Sequence, residues 1–287
     1  MRTRPLLSIA ALALGCTTAL ASPAEGVIAP DIERGEREFE FAFGTERNRD
    51  GKPTNGLELS FGAGVTDRWA TELGLEFERE PGDDMKYDGL EWENRFGLLI
   101  DEEAPVALSL LLGFERPRER AEGWSSTLGL LSETKIGRFL LNANLLLERS
   151  WDVRAEEDGD DAEHEDGDED EEEDEEEDAD ATHALGEDDD DDDDDDDDES
   201  GTVLGYQWQL LYRHSHSLYY GVQGMGEVGK WNDWAPHDDQ EHKLGPAIFG
   251  RMKTAGGQRL NYDVGLLFGV TDGTPDYTLR FKLEYEL

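Results

Sequence analysis

The stretch Thr71-Glu72-Leu73-Gly74-Leu75-Glu76-Phe77-Glu78 puts Thr71, Leu73, Leu75 and Phe77 on one face. Glu72, Gly74, Glu76 and Glu78 fall on the other. A period of two is the mark of a strand with one apolar and one polar face. The pattern continues outward in both directions. Upstream, Phe39, Phe41 and Phe43 alternate with Glu38, Glu40 and Ala42, and Leu57, Leu59, Phe61, Ala63 and Val65 form the next apolar face. Downstream come Leu90, Trp92, Asn94, Phe96, Leu98 and Ile100, then 106–114, 124–132 and 139–147, each read at every second residue. Beyond an acidic stretch the pattern resumes with Leu204, Tyr206, Trp208, Leu210 and Tyr212, then Leu218, Tyr220 and Val222. A weaker segment carries Leu244, Ile248 and Met252. The last two are Leu260 to Phe268 and Tyr277 to Leu287.

The pattern predicts twelve strands, with ten to fourteen as the range. None of the apolar-face positions is Asp, Glu, Lys or Arg. A soluble sandwich has the same period, with its apolar faces turned into a core. A transmembrane barrel inverts this, and charge on its lipid face costs roughly 2–4 kcal/mol at the midplane. Connection lengths favour the barrel. Thr66-Asp67-Arg68, Ile136-Gly137-Arg138 and His214 to Ser217 are tight, whereas Thr45–Asn55, Pro81–Asp88, Asp152–Gly201 and Lys230–Glu241 are longer. With both termini in the periplasm, the short links fall inside and the long ones outside. Trp69, Trp92, Trp124, Trp151, Tyr206, Trp208, Tyr212 and Tyr220 lie near strand ends, where barrels carry aromatic girdles. The expected fold is an all-β, up-and-down antiparallel transmembrane barrel. Strands 1–7 occupy 36–151, an acidic extracellular loop occupies 152–201, and strands 8–12 occupy 202–287.

The N-terminus has the form of a processing segment. Arg2 and Arg4 precede an apolar run from Leu6 to Leu14, and Ala19-Leu20-Ala21 supplies small residues at a cleavage site. Residues 1–21 are therefore read as a signal peptide and 22–35 as a periplasmic segment. Cys16 is the single cysteine. It either leaves with the signal or, since Ala13-Leu14-Gly15-Cys16 approximates a lipoprotein motif, is lipidated. Of 287 residues, 71 are Asp or Glu and 26 Lys or Arg, for a formal charge of −45. The stretch 152–200 holds 34 of the acids and one Arg, and without it the charge is −12. The excess belongs to one insert. No basic cluster suits nucleic acid, and cations are the natural partners of this surface.

The final strand, Tyr277-Thr278-Leu279-Arg280-Phe281-Lys282-Leu283-Glu284-Tyr285-Glu286-Leu287, resembles the C-terminal signal read by the outer-membrane barrel assembly machinery, although that signal usually ends in Phe or Trp. Gly64 to Trp69, Glu91 to Phe96 and Gly265 to Pro275 look like segments of a proteobacterial outer-membrane β-barrel family of porin-like and transporter-like proteins. The resemblance covers Gly35 to Leu287 except the insert. It implies fold, outer-membrane location and lipid contact, and names no substrate.

Four places carry potential chemistry. The insert holds an unbroken run of Asp188, Asp189, Asp190, Asp191, Asp192, Asp193, Asp194, Asp195, Asp196, Asp197 and Asp198, with His164 and His183 nearby. Such a segment repels itself, stays disordered, and offers hard oxygen ligands to weakly bound divalent cations. A solvated, length-variable loop is the plainer alternative. The segment from Trp231 to His242 gathers His237, Asp238, Asp239 and His242, a loose transition-metal set or an ordinary polar loop. Alternation turns Glu72, Glu76, Glu91, Glu93, Arg95, Glu133, Glu148, Glu227 and Asp263 into the lumen. An open pore so lined favours cations, and a plugged one pairs these charges. His214-Ser215-His216 sits on a tight turn with no assignable carboxylate, so no enzyme is expected. The expected function is attraction of divalent cations by the acidic loop and cation conduction through an acidic lumen. The alternative is a general small-solute porin or structural barrel whose loop is only a solvated insert.

Overall fold

Alternation of apolar and polar side chains produces one long antiparallel sheet in the computed structural model, which describes residues 22–49, 51–100, 104–151, 153, 201–254 and 256–287. The strands are β1 (Arg37–Arg47), β2 (Pro53–Thr66), β3 (Trp69–Arg79), β4 (Lys86–Leu99), β5 (Val106–Pro117), β6 (Trp124–Ile136), β7 (Phe139–Trp151), β8 (Thr202–Arg213) and β9 (Leu218–Lys230). They continue with β10 (Asp233–Trp234), β11 (Glu241–Lys253), β12 (Arg259–Gly269) and β13 (Tyr277–Glu286). Neighbours in sequence pair with one another, apart from β10, which adds a two-residue ladder to β9, so that β9 pairs onward with β11. β13 pairs with β1 and β8 with β9, which closes a barrel of twelve strands, as the periodicity predicts. Closure removes the edges that an open sheet would leave unpaired. The signal segment and the insert, with His164, His183 and the Asp188–Asp198 run, lie outside the described residues.

Turn lengths separate the two ends of the barrel. The β6–β7 link is just Gly137-Arg138, and Gly137 takes a φ of +62°, a conformation that L side chains resist. Both Gly35 and Leu287 bond to strands at this short-turn end.

The outer face is apolar. Phe39, Leu73, Leu145 and Ile248 are each between 49% and 53% exposed. Such a belt is costly in water and stable in lipid. Aromatic pairs stiffen it across strands: Phe39 on Phe61 at 5.0 Å, Trp92 on Phe114 at 5.9 Å and Trp69 stacked on Phe96 at 6.4 Å between ring centroids. Asn94, the polar residue among the apolar positions of its strand, accepts from the Trp69 indole N–H at 3.2 Å, and the Trp92 indole donates to Thr71 at 2.9 Å. Hydrogen bonds of this kind let polar atoms sit on a lipid-facing wall.

The inner face differs from one side to the other. Leu111, Leu131 and Leu146, on β5, β6 and β7, point inward and are fully buried with Ile28 against them. Beside them runs a hydrogen-bonded ladder. Arg280 donates to Gln223 (2.7 Å), Gln223 to Gln209 (2.9 Å), Gln209 to Asn142 (2.8 Å) and Asn142 to Glu133 (3.3 Å). Such closed networks satisfy buried amides that water cannot reach.

Residues 22–35, read from sequence as a periplasmic segment, form a strap inside the lumen, whose walls supply the partners that an unpaired backbone needs. Gln207 Nε2 donates to Glu25 Oε1 at 2.5 Å, and Arg280 donates to Glu25 O at 2.7 Å. Ile28 N–H donates to Gln207 (3.1 Å), and Asn144 donates to Ile28 O (2.8 Å). Ser109 donates to Pro30 O (2.6 Å), and Gly35 N–H closes the strap on Gly64 O (2.7 Å).

Candidate functional site: an acidic chamber in the lumen

The charged inward positions of β1 to β4 are nearly all glutamates, set among glycines and other small residues, and the alternation that drives their apolar neighbours outward places them there. Glu38 and Glu40 come from β1, Glu58 from β2, Glu72 and Glu76 from β3, and Glu91 and Glu93 from β4. Strand register stacks them side by side: Glu58 faces Glu76, and Glu72 faces Glu93. Like charges directly opposite are destabilising, so a wall of this kind needs compensation. Two cations supply part of it. Arg95 Nη2 lies 3.6 Å from Glu38 and 3.5 Å from Glu72, and Lys282 pairs with Glu40. Ser60 donates to Glu72 at 2.5 Å.

This wall borders a cavity of about 720 Å³. Fourteen carboxylates and five bases line it, so its field favours cations. The strap also lines it, from Ser22 to Glu33, as do residues of β5 to β13 such as Leu111, Leu146, Asp263 and Glu284. Among the described residues, Glu40, Glu58 and Glu72 form the one group of three ligating side chains, with oxygens within 4.8 Å of one another.

The lumen residues expected from alternation divide. Glu72, Glu76, Glu91, Glu93, Arg95 and Asp263 line the cavity. Asp263 is held by Arg280 in a buried ion pair. Glu133 lies at the end of the amide ladder and pairs with Lys135 at 2.9 Å. Glu148 is buried in the wall, and Glu227 borders a separate water-sized space with Glu25, Glu241 and Lys243. Glu38 and Glu40 join the chamber although sequence reasoning did not select them. The Phe39–Phe43 alternation carries the signal that places them.

The strap contributes one ionisable group of its own. The Glu25 carboxyl has Oε1 on Gln207 and, among the described residues, no hydrogen-bond partner for Oε2. Burial pushes it up to about 8, opposed by Lys243 and Gln207 and reinforced by Glu148.

In the loop read from sequence as a loose transition-metal set or a polar loop, His242 Nδ1 meets Tyr206 Oη at 2.9 Å and Nε2 meets Gln240 Oε1 at 2.9 Å, so both ring nitrogens are engaged. His237 lies 3.7 Å from Asp238, and neither histidine enters a three-ligand cluster with Asp238 and Asp239. His214-Ser215-His216 forms the β8–β9 turn, where Ser215 Oγ accepts from Ser217 N–H at 3.3 Å.

No family model matches the chain, and no curated protein does. Solved structures do. The COG4313 outer membrane channel from Pseudomonas putida F1 aligns with a TM-score of 0.54 at 10% identity, over 89% of this chain and 97% of that one. The chain has the fold of an outer-membrane channel barrel. The KdgM porin aligns at a TM-score of 0.47 and 6% identity, over 87% and 99% of the two chains. OccK5 of Pseudomonas aeruginosa gives 0.36 and 9%, over 85% and 62%. At these identities the likeness is one of fold alone.

Proposed function

We propose that the protein is an outer-membrane channel for small cations, with both termini periplasmic and the acidic insert at the cell surface. The carrying observation is the carboxylate wall of β1–β4 bordering the cavity, to which Arg95 of β4 and Lys282 of β13 are paired. A lumen lined this way replaces part of a cation's hydration with fixed carboxylate oxygens and repels anions. The insert, with 34 acids between residues 152 and 200, raises cation concentration at the mouth.

Two measurements test the parts separately. In planar bilayers, Glu91→Gln with Glu93→Gln lowers cation-over-anion selectivity severalfold, and unchanged selectivity in that double variant contradicts conduction along the wall. Deleting 156–199 reduces divalent-cation binding to whole cells while the barrel still assembles. The loss is largest at low ionic strength, because exposed charges are screened beyond about 8–10 Å in physiological salt. Equal binding with and without the insert removes its collecting role.

A further inference from the structure

The strap meets the barrel wall at glycines. Gly44 and Gly56 are register partners on β1 and β2, both facing inward. A Cβ on Gly44 would sit 1.8 Å from Pro23 O and 2.6 Å from Ala24 N. One on Gly56 would meet Ser22 Oγ at 3.0 Å and Pro23 Cδ at 3.1 Å. At the other end, a Cβ on Gly64 would sit 1.9 Å from Glu33 O. The contacts of Gly44 and Gly64 are to backbone, which cannot swing aside as a flexible side chain does. Within the strap, Gly26 admits the Arg280 guanidinium, since a Cβ there would sit 2.5 Å from Nη1. The wall is thus cut to the shape of the strap at both ends, and buried donors on β5, β7, β8 and β13 hold the middle.

The chamber's lining follows the same boundary. It includes Ser22 and Glu25 but not Glu46, Glu115, Glu241 or Lys243, which lie toward the long-loop end. We infer that the strap, docked in the Gly44–Gly56 cradle, is the constriction of the lumen, closing the acidic chamber toward the long-loop end. The consequence for flux rests on the channel reading above. The docking itself does not.

The test has two arms. Ser22→Cys with Gly56→Cys, in a Cys16→Ser background, places two thiols within disulfide reach if the strap is docked as described. Oxidation then gives an internal cross-link, read as a gel shift that reductant reverses. Absence of the cross-link overturns the docking. In the second arm, single-channel conductance is compared for the intact barrel, the cross-linked barrel, a chain lacking residues 22–33, and Gly44→Val with Gly56→Val. The point variants keep the strap's own residues but evict its end, and so cover the case in which the deletion fails to fold. The expected result is at least a threefold rise on deletion or eviction and no rise on cross-linking. Equal conductance in the intact and strapless barrels overturns this inference alone. A strapless barrel that carries no current overturns the channel reading and this inference with it.

Discussion

Glu25 shows how one buried side chain couples the strap to pH. Docked, its carboxyl is pushed up to about 8 by burial, whereas a released strap would return it to the ordinary carboxylate range near 4.5. The protonated form therefore favours docking. Its contribution is full below about 4.5 and is lost as pH rises through about 8, changing the docking equilibrium by up to about tenfold per pH unit between those values. The charged groups facing it are Glu148, Lys243, Arg280 and Glu76, with Glu227 and Glu241 beside the same small space. A nitroxide attached at Ser22→Cys should become mobile as pH is raised past 8. In the Glu25→Gln background its mobility should stay flat, and equal pH profiles in the two chains would remove Glu25 from this role. No residue-level signal in the sequence pointed to Glu25. It sits in a segment with no period and finds its partners, Gln207 and Arg280, across 182 and 255 positions of chain.

At the scale of elements, the strands were the legible part. Each of the twelve segments has a strand where period two placed it, because a lipid-facing wall tolerates no charge and so preserves the alternation cleanly. Leu73 illustrates the force of that rule. It is half exposed on the outer face of β3, so Leu73→Arg should cost the folded barrel roughly 2–4 kcal/mol in bilayers. Urea unfolding in lipid vesicles measures this, and a change under about 0.5 kcal/mol would place Leu73 away from the membrane midplane. Less legible was the inner face. Leu110-Leu111-Leu112, Leu130-Leu131 and Leu145-Leu146-Leu147 are continuous apolar runs, which mark strands buried on both faces. Alternation reads only one face of such runs, so the inward leucines and the strap's Ile28 packed on them went unforeseen. The strap's place in the lumen was not legible for a related reason. Its backbone is satisfied by side chains of distant strands, and no local pattern encodes that.

For the whole molecule, charge divides the lumen. Most of the cavity's strand carboxylates come from β1–β4, with Asp263, Glu284 and Glu286 from β12 and β13, whereas the β5–β9 side carries the amide ladder and the buried leucines. A twelve-strand barrel is wide enough to hold both a packed half and a chamber, between the filled eight-strand barrels and the open porins. The acidic composition that dominates the sequence says little about this division, since most of it belongs to the insert. The carboxylate wall is the part on which the proposed cation path rests. Its most direct test is the reversal potential of the purified barrel across a tenfold KCl gradient, recorded with the strap intact and with residues 22–33 removed. A reversal potential on the potassium side in both, with the larger current in the strapless chain, is the predicted result. A reversal potential on the chloride side in either would contradict a cation path along the acidic wall.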